Sequence, residues 1–534
     1  MSSHANFLIE HVNAYTQDDA NPRAEAVAVA GNRILFAGVR HEAEAFVGPA
    51  TRRVDGQNGT LLPGLIDSHY HLLLGSMTLE DLLLENAVDG EMLGSALRAY
   101  LAQYPQKEWI IGHGLRYNIL PGRQPLTRQF LDALLPDQPV ILMAYDEHTA
   151  WCNTLALKKA GLLHGGPVGP NSEIVMDTDG TASGELREPG AYNAVVNLLP
   201  VESEADRDRL LRKGLAAAAA LGITSIHNMD GDAAQMARYE GLLERGDLTL
   251  RVYLPQRIYI ESPIEIMAEA AQLAASHKDD MLRGGAVKFF MDGVIEGYTA
   301  LMLEDYADRP TKGDANFSLE HFTRMATKAD RLGLQIFVHA IGDAAVRRTL
   351  DGFEAAATAN GRRDRRHRVE HIEVVHPDVL ARFAELGVIA SMQPLHAPER
   401  ADGWDIWPAR VGPERWPLSF AWRALKQAGA HLALGSDWPV VTQNPFLGIA
   451  NAVNRKPWAE GQPEQCLTLT ETLRGYTRDG AFAEFMENRK GMLKAGMLAD
   501  MVLLPRDIFA VNAVALGELR PLWTMCDGRM VYEG

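Results

Sequence analysis

The chain has 534 residues and a mass of 58.7 kDa, too long for one ordinary domain and far too long for a disulfide-stapled miniature. With 47% apolar, 23% charged and 7% aromatic residues it has material for a substantial core, which excludes an intrinsically disordered chain. Lysine and arginine number 52 against 69 aspartates and glutamates, a net charge of −17 with a pI near 5.5, and such a field repels nucleic acid and anionic membrane.

The N-terminal segment MSSHANFLIEHVNAYTQDD has no basic region leading into a long apolar run. No stretch of the chain approaches the roughly twenty apolar residues of a membrane span, so a cytoplasmic protein is expected. Residues 1–60 hold short apolar alternations, among them NFLIEHVNAY and AEAVAVAGNRILFAG, separated by glycine and polar turns in the pattern of an antiparallel β unit. Then come eight apolar runs of strand length: LLPGLIDSHYHLLL, GITSIHNMD, LTLRVYLPQ, GGAVKFFMDG, GLQIFVHAIGD, HRVEHIEVVH, GVIASMQPL and AHLALGSDWPV. Stretches of helical period separate them, such as EADRDRLLRKGLAAAAALG, SLEHFTRMATKADRLG and DVLARFAELG, several closing on a glycine that acts as a C-cap.

Eight strand–helix units predict an α/β fold of the (β/α)8 TIM-barrel type, larger than the typical roughly 250 residues because the first crossover is long. That crossover, about residues 79–200, carries strand signals of its own in KEWIIGHGL, DQPVILMAYDEHTAWCN and Ser172–Met176, and reads as an inserted subdomain, not a linker. Near the C-terminus, GMLADMVLLPRD and RPLWTMCDGRMVYEG, with a DG turn between Cys526 and Arg529, match the N-terminal β segments. Residues 1–60 and 490–534 are therefore expected to form one composite β-sandwich domain, leaving 61–489 for the barrel.

Cys152, Cys466 and Cys526 are odd in number, far apart and form no CxxC pair, which argues for a reducing compartment and against a thiolate metal site. The run RRDRRHR at Arg362–Arg368 is the nearest thing to a basic patch. Lying between a helix and a strand, it reads as a solvated loop, and neither a nucleic-acid nor a membrane partner is expected.

Active sites of such barrels lie where strands end. The first run ends in His69 and His71, and a spacing of two puts both imidazoles on one side of a strand. The fourth run offers Lys288, the fifth His339, the sixth His371 and the eighth Asp437. Imidazole and carboxylate are ligands of zinc and its neighbours. A lone histidine at a strand end is more often a hydrogen-bonded core residue than a ligand, and HxH alone is a weak signal. Six such residues in register with the strand pattern outweigh that reading. His113, His227, His396 and Arg116 read either as residues facing the cleft or as loop or structural residues, and the second reading outweighs the first. The tryptophan-rich stretch Gly403–Trp422 reads either as an aromatic wall over the mouth or as the packing of a long loop.

The segments LPGLIDSHYHL, AVKFFMDG, VHAIGD, RVEHIEVV and LGSDWPV resemble, in this order, motifs of the amidohydrolase superfamily. Within it they are most similar to the YtcJ-like branch (amidohydrolase family 3) that includes N-substituted formamide deformylases. The resemblance extends to PLTRQFLDALLPDQPVILMAYDEHTAWCNTLAL and AGMLADMVLL, and so covers most of the chain. It implies a barrel with a β-sandwich built from both termini and a hydrolytic site for one or two divalent metal ions, zinc foremost. By resemblance His69, His71 and Asp437 bind the more buried metal, His339 and His371 the second, and Lys288, N6-carboxylated, bridges the two. An ordinary lysine beside a single metal is the alternative. Asp437 is the expected catalytic residue, taking a proton from metal-activated water and returning it to the leaving nitrogen. His148 in AYDEHTAW matches the histidine of the family's D-G-H-x-A-W motif, with Glu147 where that motif has glycine. His148, Asp292 and Trp438 are the candidate substrate contacts, Asp292 equally a support for a ligand or a turn residue.

The expected function is metal-dependent hydrolysis of a non-peptide C–N bond, of amide, N-acyl or N-formyl type (EC 3.5), in a small-molecule substrate, with a homodimer admitted. Fold does not fix reaction, so ester or lactone hydrolysis and a non-hydrolytic decarboxylation or isomerisation stay open at the same site. A non-catalytic regulatory or binding scaffold is the third reading, and the complete set of ligand candidates argues against it.

Overall fold

The eight apolar runs become eight parallel strands: β1 (Leu65–Tyr70), β2 (Ile223–Asn228), β3 (Arg251–Arg257), β4 (Leu282–Phe290), β5 (Gln335–Ala340), β6 (Arg368–His371), β7 (Ile389–Met392) and β8 (His431–Leu434). This computed structural model describes residues 4–169, 171–399 and 406–534. Strand order in the sheet follows chain order from β1 to β8. Every residue of β1, β2 and β5 is buried. Barrel strands are covered on both faces, which is why they read as continuous apolar runs and not as alternations.

The turn after β8 bridges the gap back to β1. Asp437 N–H donates to the His69 carbonyl at 2.7 Å, and His71 N–H to the Trp438 carbonyl at 2.9 Å. Gly435 permits this approach, because a Cβ there would lie 2.5 Å from His69 N and 2.6 Å from Asp67 Oδ1. The result is a nearly closed (β/α)8 barrel. Its helices follow their sequence signals. Glu204–Ala220 starts at Ser203, whose hydroxyl accepts from Asp206 N–H, Leu319–Arg331 starts in the same way at Ser318, and Leu380–Leu386 stops at the left-handed Gly387. Phe322, Met325, Val346 and Leu350 of the outer helices pack on Val287, Ile336 and Val338 of the strands in the largest apolar cluster.

Between β1 and β2 stands a six-stranded sheet, ordered Glu173–Met176, Ala182–Arg187, Thr149–Cys152, Val140–Ala144, Ile110–Leu115 and Leu82–Leu83. It buries two apolar clusters, one with Leu93 and Leu97 of helix Gly90–Gln103, the other with Leu157 and Val195. The termini meet in one eight-stranded sheet, where Met501–Leu504 pairs antiparallel with Thr60–Pro63, itself beside Phe7–Tyr15. No described helix is long and apolar enough to cross a membrane, and the three cysteines are free.

The basic run Arg362–Arg368 is only in part the solvated loop that its charge suggests: Arg362, Arg363 and Asp364 are exposed, and the run turns inward from Arg365. Arg365 is only 7% exposed and His367 and Arg368 are buried. Asp330, itself buried, accepts from Arg363 at 2.5 Å and from Arg365 at 2.8 Å, and Arg366 pairs with Glu487 at 2.9 Å. Carboxylates supplied by other segments draw the run inward, and a local count of charges does not contain them.

Candidate metal centre

His69 and His71 leave β1 with their rings held from behind. Nδ1 of His69 is 2.8 Å from Glu370 Oε2, and Nδ1 of His71 is 2.7 Å from Asp230 Oδ1. An ionised carboxylate only accepts, so each Nδ1 carries a proton and each Nε2 is turned to the front. There they converge on one atom, Asp437 Oδ1, at 3.3 Å from His69 and 3.1 Å from His71. Burial opposes charge on Glu370, but Arg368 and His69 outweigh it and hold its carboxyl well below the usual range. Burial pushes His69 towards its neutral form. Burial also works against charge on His71, yet Asp230 and Asp437 outweigh it and push that imidazole up to about 9.

Around the other oxygen of Asp437 lie His371 Nδ1 at 3.8 Å and His396 Nε2 at 3.7 Å, the two rings stacked with centroids 5.7 Å apart. Among the described residues two triads have all ligand atoms within 4.8 Å of one another: His69, His71, Asp437, and His371, His396, Asp437. His339 sits against His371, ring centroids 4.5 Å apart, with its Nε2 donating to the Gly293 carbonyl at 3.1 Å, which leaves Nδ1 as the free lone pair. Burial pushes both His339 and His371 well below the ordinary imidazole value. Lys288 is fully buried, its ammonium has no hydrogen-bond partner, and burial pushes it down to about 8.

Asp437 and His371 both adopt left-handed backbone conformations, φ 67° and 72°, which cost non-glycine residues strain and concentrate at functional positions. Asp437 Oδ1, His371 Nδ1, His396 Nε2 and Lys288 Nζ are all buried without a hydrogen-bond partner. The carboxylate oxygen and the imidazole nitrogens are electron-pair donors, and such donors left facing one another in a dry cavity are costly unless cations sit among them. The donor set of imidazole nitrogens and a carboxylate oxygen fits a divalent ion of the zinc type.

The six expected ligand residues are thus brought together, and His396, read from the sequence as a loop residue, joins them. The supporting carboxylates Asp230 and Glu370 went unassigned in the sequence. His148 lines the same cavity, its Nδ1 2.8 Å from Glu188 and its ring 5.6 Å from His339. Glu188 is a further outlier at φ 64°. Asp292 accepts from the backbone N–H groups of Leu301, Ile341 and Gly342 at 2.8, 3.1 and 3.0 Å, so it clamps the loops after β4 and β5. Trp438 packs behind the site, its ring 5.0 Å from that of Tyr70 and against Gly75, within an apolar cluster. Trp407 and Trp416 pack with Trp458 around the loop they belong to, and Gly403, Trp404 and Asp405 lie outside the described residues.

The centre opens into a cavity of about 1240 Å³ walled by the strand ends and by Ile111, His113, Tyr145 and Glu147 of the insertion. His113 is held between Glu147 at 3.0 Å and Asp81 at 3.4 Å. His227 lies below the centre, buried between Arg368 at 2.7 Å and Glu484 at 3.2 Å, and is a structural residue.

Residues 52–532 match the model of the amidohydrolase family. The chain is 31% identical over 516 residues to the protein LONG AFTER FAR-RED 3 of Arabidopsis thaliana, covering 94% of this chain and 87% of that one. It is 30% identical to the putative amidohydrolase YtcJ of Bacillus subtilis, covering 97% and 98% of the two chains. To the N-substituted formamide deformylase of Arthrobacter pascens it is 27% identical over 100% and 99%. Among solved structures, a metal-dependent hydrolase of Pyrococcus horikoshii superposes with a TM-score of 0.74 at 26% identity, covering 95% of this chain and 99% of that one.

Proposed function

This chain belongs to the amidohydrolase family and is a hydrolase, and from that premise we propose that it cleaves a non-peptide C–N bond of amide, N-acyl or N-formyl type with the help of one or two divalent ions, zinc foremost. The observation that carries the reading is the pair of imidazoles whose Nδ1 atoms are fixed by Glu370 and Asp230 while both Nε2 atoms meet Asp437 Oδ1. His69, His71 and Asp437 would hold one ion, and His371, with His339 or His396 and with Lys288, a second. A divalent ion in such a site supplies Lewis-acid polarisation of a carbonyl and makes water more acidic.

The protein's own groups supply the rest. Asp437, buried and faced by both imidazoles, is placed to accept a proton from water and to deliver it to the departing nitrogen. His148, fixed by Glu188 and facing the same cavity, is placed to hold the substrate carbonyl group. Lys288, buried and unpartnered among donor atoms, is the amine to which carbon dioxide would add, with loss of its proton, to give an anionic carbamate able to hold a cation.

The test is a panel of matched N-formyl, N-acyl, carbamate, ester and lactone compounds, with a decarboxylation and an isomerisation assay alongside. Metal-dependent turnover confined to the C–N members is expected. Turnover of esters or lactones alone would replace the bond class. No turnover of any compound by metal-loaded protein would favour the binding-scaffold reading.

A further inference from the structure

One cation of the cavity wall rests on aromatic rings and not on a carboxylate. Arg257 ends β3, and its Cα pairs in register with that of Lys288 on β4. Adjacent strands lie about 4.8 Å apart, so this arginine springs from the wall immediately beside the candidate ligands. It lines the same cavity as His69, His71, His339 and Asp437. Its guanidinium carbon lies 4.8 Å from the ring centre of Tyr259 and 4.9 Å from that of Phe290. Its Nε is buried without a hydrogen bond.

The arginines that are buried outright are matched to carboxylates, Arg251 to Asp500 at 2.7 Å, Arg365 to Asp330 at 2.8 Å and Arg368 to Glu370 at 2.8 Å, whereas Arg257 is half-buried in the cavity wall. Arg257 has no such ion pair among the described residues. Asp230 is near enough to feel its charge, but the oxygens of Asp230 are taken by His71 Nδ1 at 2.7 Å and Gln235 Nε2 at 2.9 Å. A guanidinium is permanently charged, weakly hydrated and planar. Stacked on aromatic rings it keeps its N–H groups ready for a two-point contact with a carboxylate, which an ammonium cannot reproduce. Glu85, Glu202, Glu261 and Glu399 also belong to the cavity lining, but they are exposed at its rim, where water and salt screen them.

We propose that Arg257 is the subsite for a carboxylate carried by the substrate close to the scissile bond, which makes N-acylated or N-formylated amino acids the preferred substrate class. This rests on the C–N hydrolase reading for the reaction, but not for the binding.

The test compares N-formylphenylalanine with N-formylphenethylamine, which differs only in lacking the carboxylate, on metal-loaded wild-type, Arg257→Gln and Arg257→Lys proteins. Wild type is expected to favour the carboxylate compound. The ratio of the two kcat/KM values should fall about 10- to 100-fold in Arg257→Gln, chiefly through KM, and recover in part in Arg257→Lys. An unchanged ratio in both variants, or a wild type indifferent to the carboxylate, overturns the proposal. If wild type cleaves neither compound, calorimetric binding of the same pair decides. Carboxylate-dependent binding that falls in the Arg257 variants upholds the subsite while the hydrolytic reading fails, and binding that ignores Arg257 overturns it. Should Arg257→Gln fail to fold, the ratio in Arg257→Lys decides: a value below that of wild type upholds the subsite, and an unchanged one overturns it.

Discussion

Glu370 fixes the proton of His69, and with it the direction in which the other ring nitrogen can bind. Replacing Glu370 by Gln keeps the shape but removes the charge that holds the tautomer. Metal affinity should fall about 10- to 100-fold, read by chelator competition, with little change in circular dichroism. Affinity equal to wild type would show that the carboxylate does not orient the imidazole. Asp437→Asn keeps size and removes the proton acceptor, so kcat should drop by at least about 10²- to 10⁴-fold while the fold persists. An unchanged kcat would remove Asp437 from the proton transfer. At this scale the sequence was legible where one strand carries the chemistry, as in the HxH pair. It was silent where the partner lies far along the chain: Glu370 is 301 residues from His69, and Asp230 is 159 residues from His71. His396 sits in a short 3-10 turn, where no periodicity marks a direction for its side chain.

Strands and their closing turns set the positions of these residues. The turn from β8 reaches β1 only because position 435 lacks a side chain, so Gly435→Ala must push the backbone of His69 or the Asp67 carboxylate aside. A loss of about 1–3 kcal/mol in denaturant unfolding is expected, together with weakened metal binding. Wild-type stability would show that the contact relaxes freely. The connection into β6 offers a pH test away from the centre. Burial raises the pKa of Asp330, but hydrogen bonds from His367, Arg365 and Asn360 outweigh it and hold the carboxyl well below its ordinary value. A depressed folded pKa means that this stabilisation is complete above the unfolded value of about 3.9 and is lost as pH falls from there towards the folded one. Asp330→Asn should cost about 3–5 kcal/mol near neutral pH and flatten the acid limb of the stability profile. A variant with the same acid limb as wild type would place the titration elsewhere. Strand identities were legible because buried parallel strands are continuous apolar runs. The inward packing of Arg365–Arg368 was not, since Asp330 and Glu487 come from other segments.

Across the molecule, the barrel holds the centre from below and the insertion frames it from above. A chain of buried polar contacts descends from His69 through Glu370, Arg368 and His227 to Glu484, which pairs with Lys490 and with Arg283 at 2.8 Å. Arg251 ties β3 to Asp500 and Asp527, at 2.7 and 2.9 Å, joining the barrel to the C-terminal part of the terminal sheet. Both ends of the chain contribute strands to that sheet, Met501–Leu504 lying beside Thr60–Pro63. The shape of the cavity was not legible, since it depends on how the insertion lies over the strand ends. What most directly tests the whole picture is the dependence of C–N hydrolysis on bound metal. Protein stripped by chelation is reloaded stepwise with zinc, and activity on an N-formyl substrate is followed against the metal bound. Activity should be absent in the stripped protein, rise in proportion to occupancy and stay absent in Asp437→Asn at full loading. Hydrolysis that persists in stripped protein, or that is indifferent to loading, would contradict it.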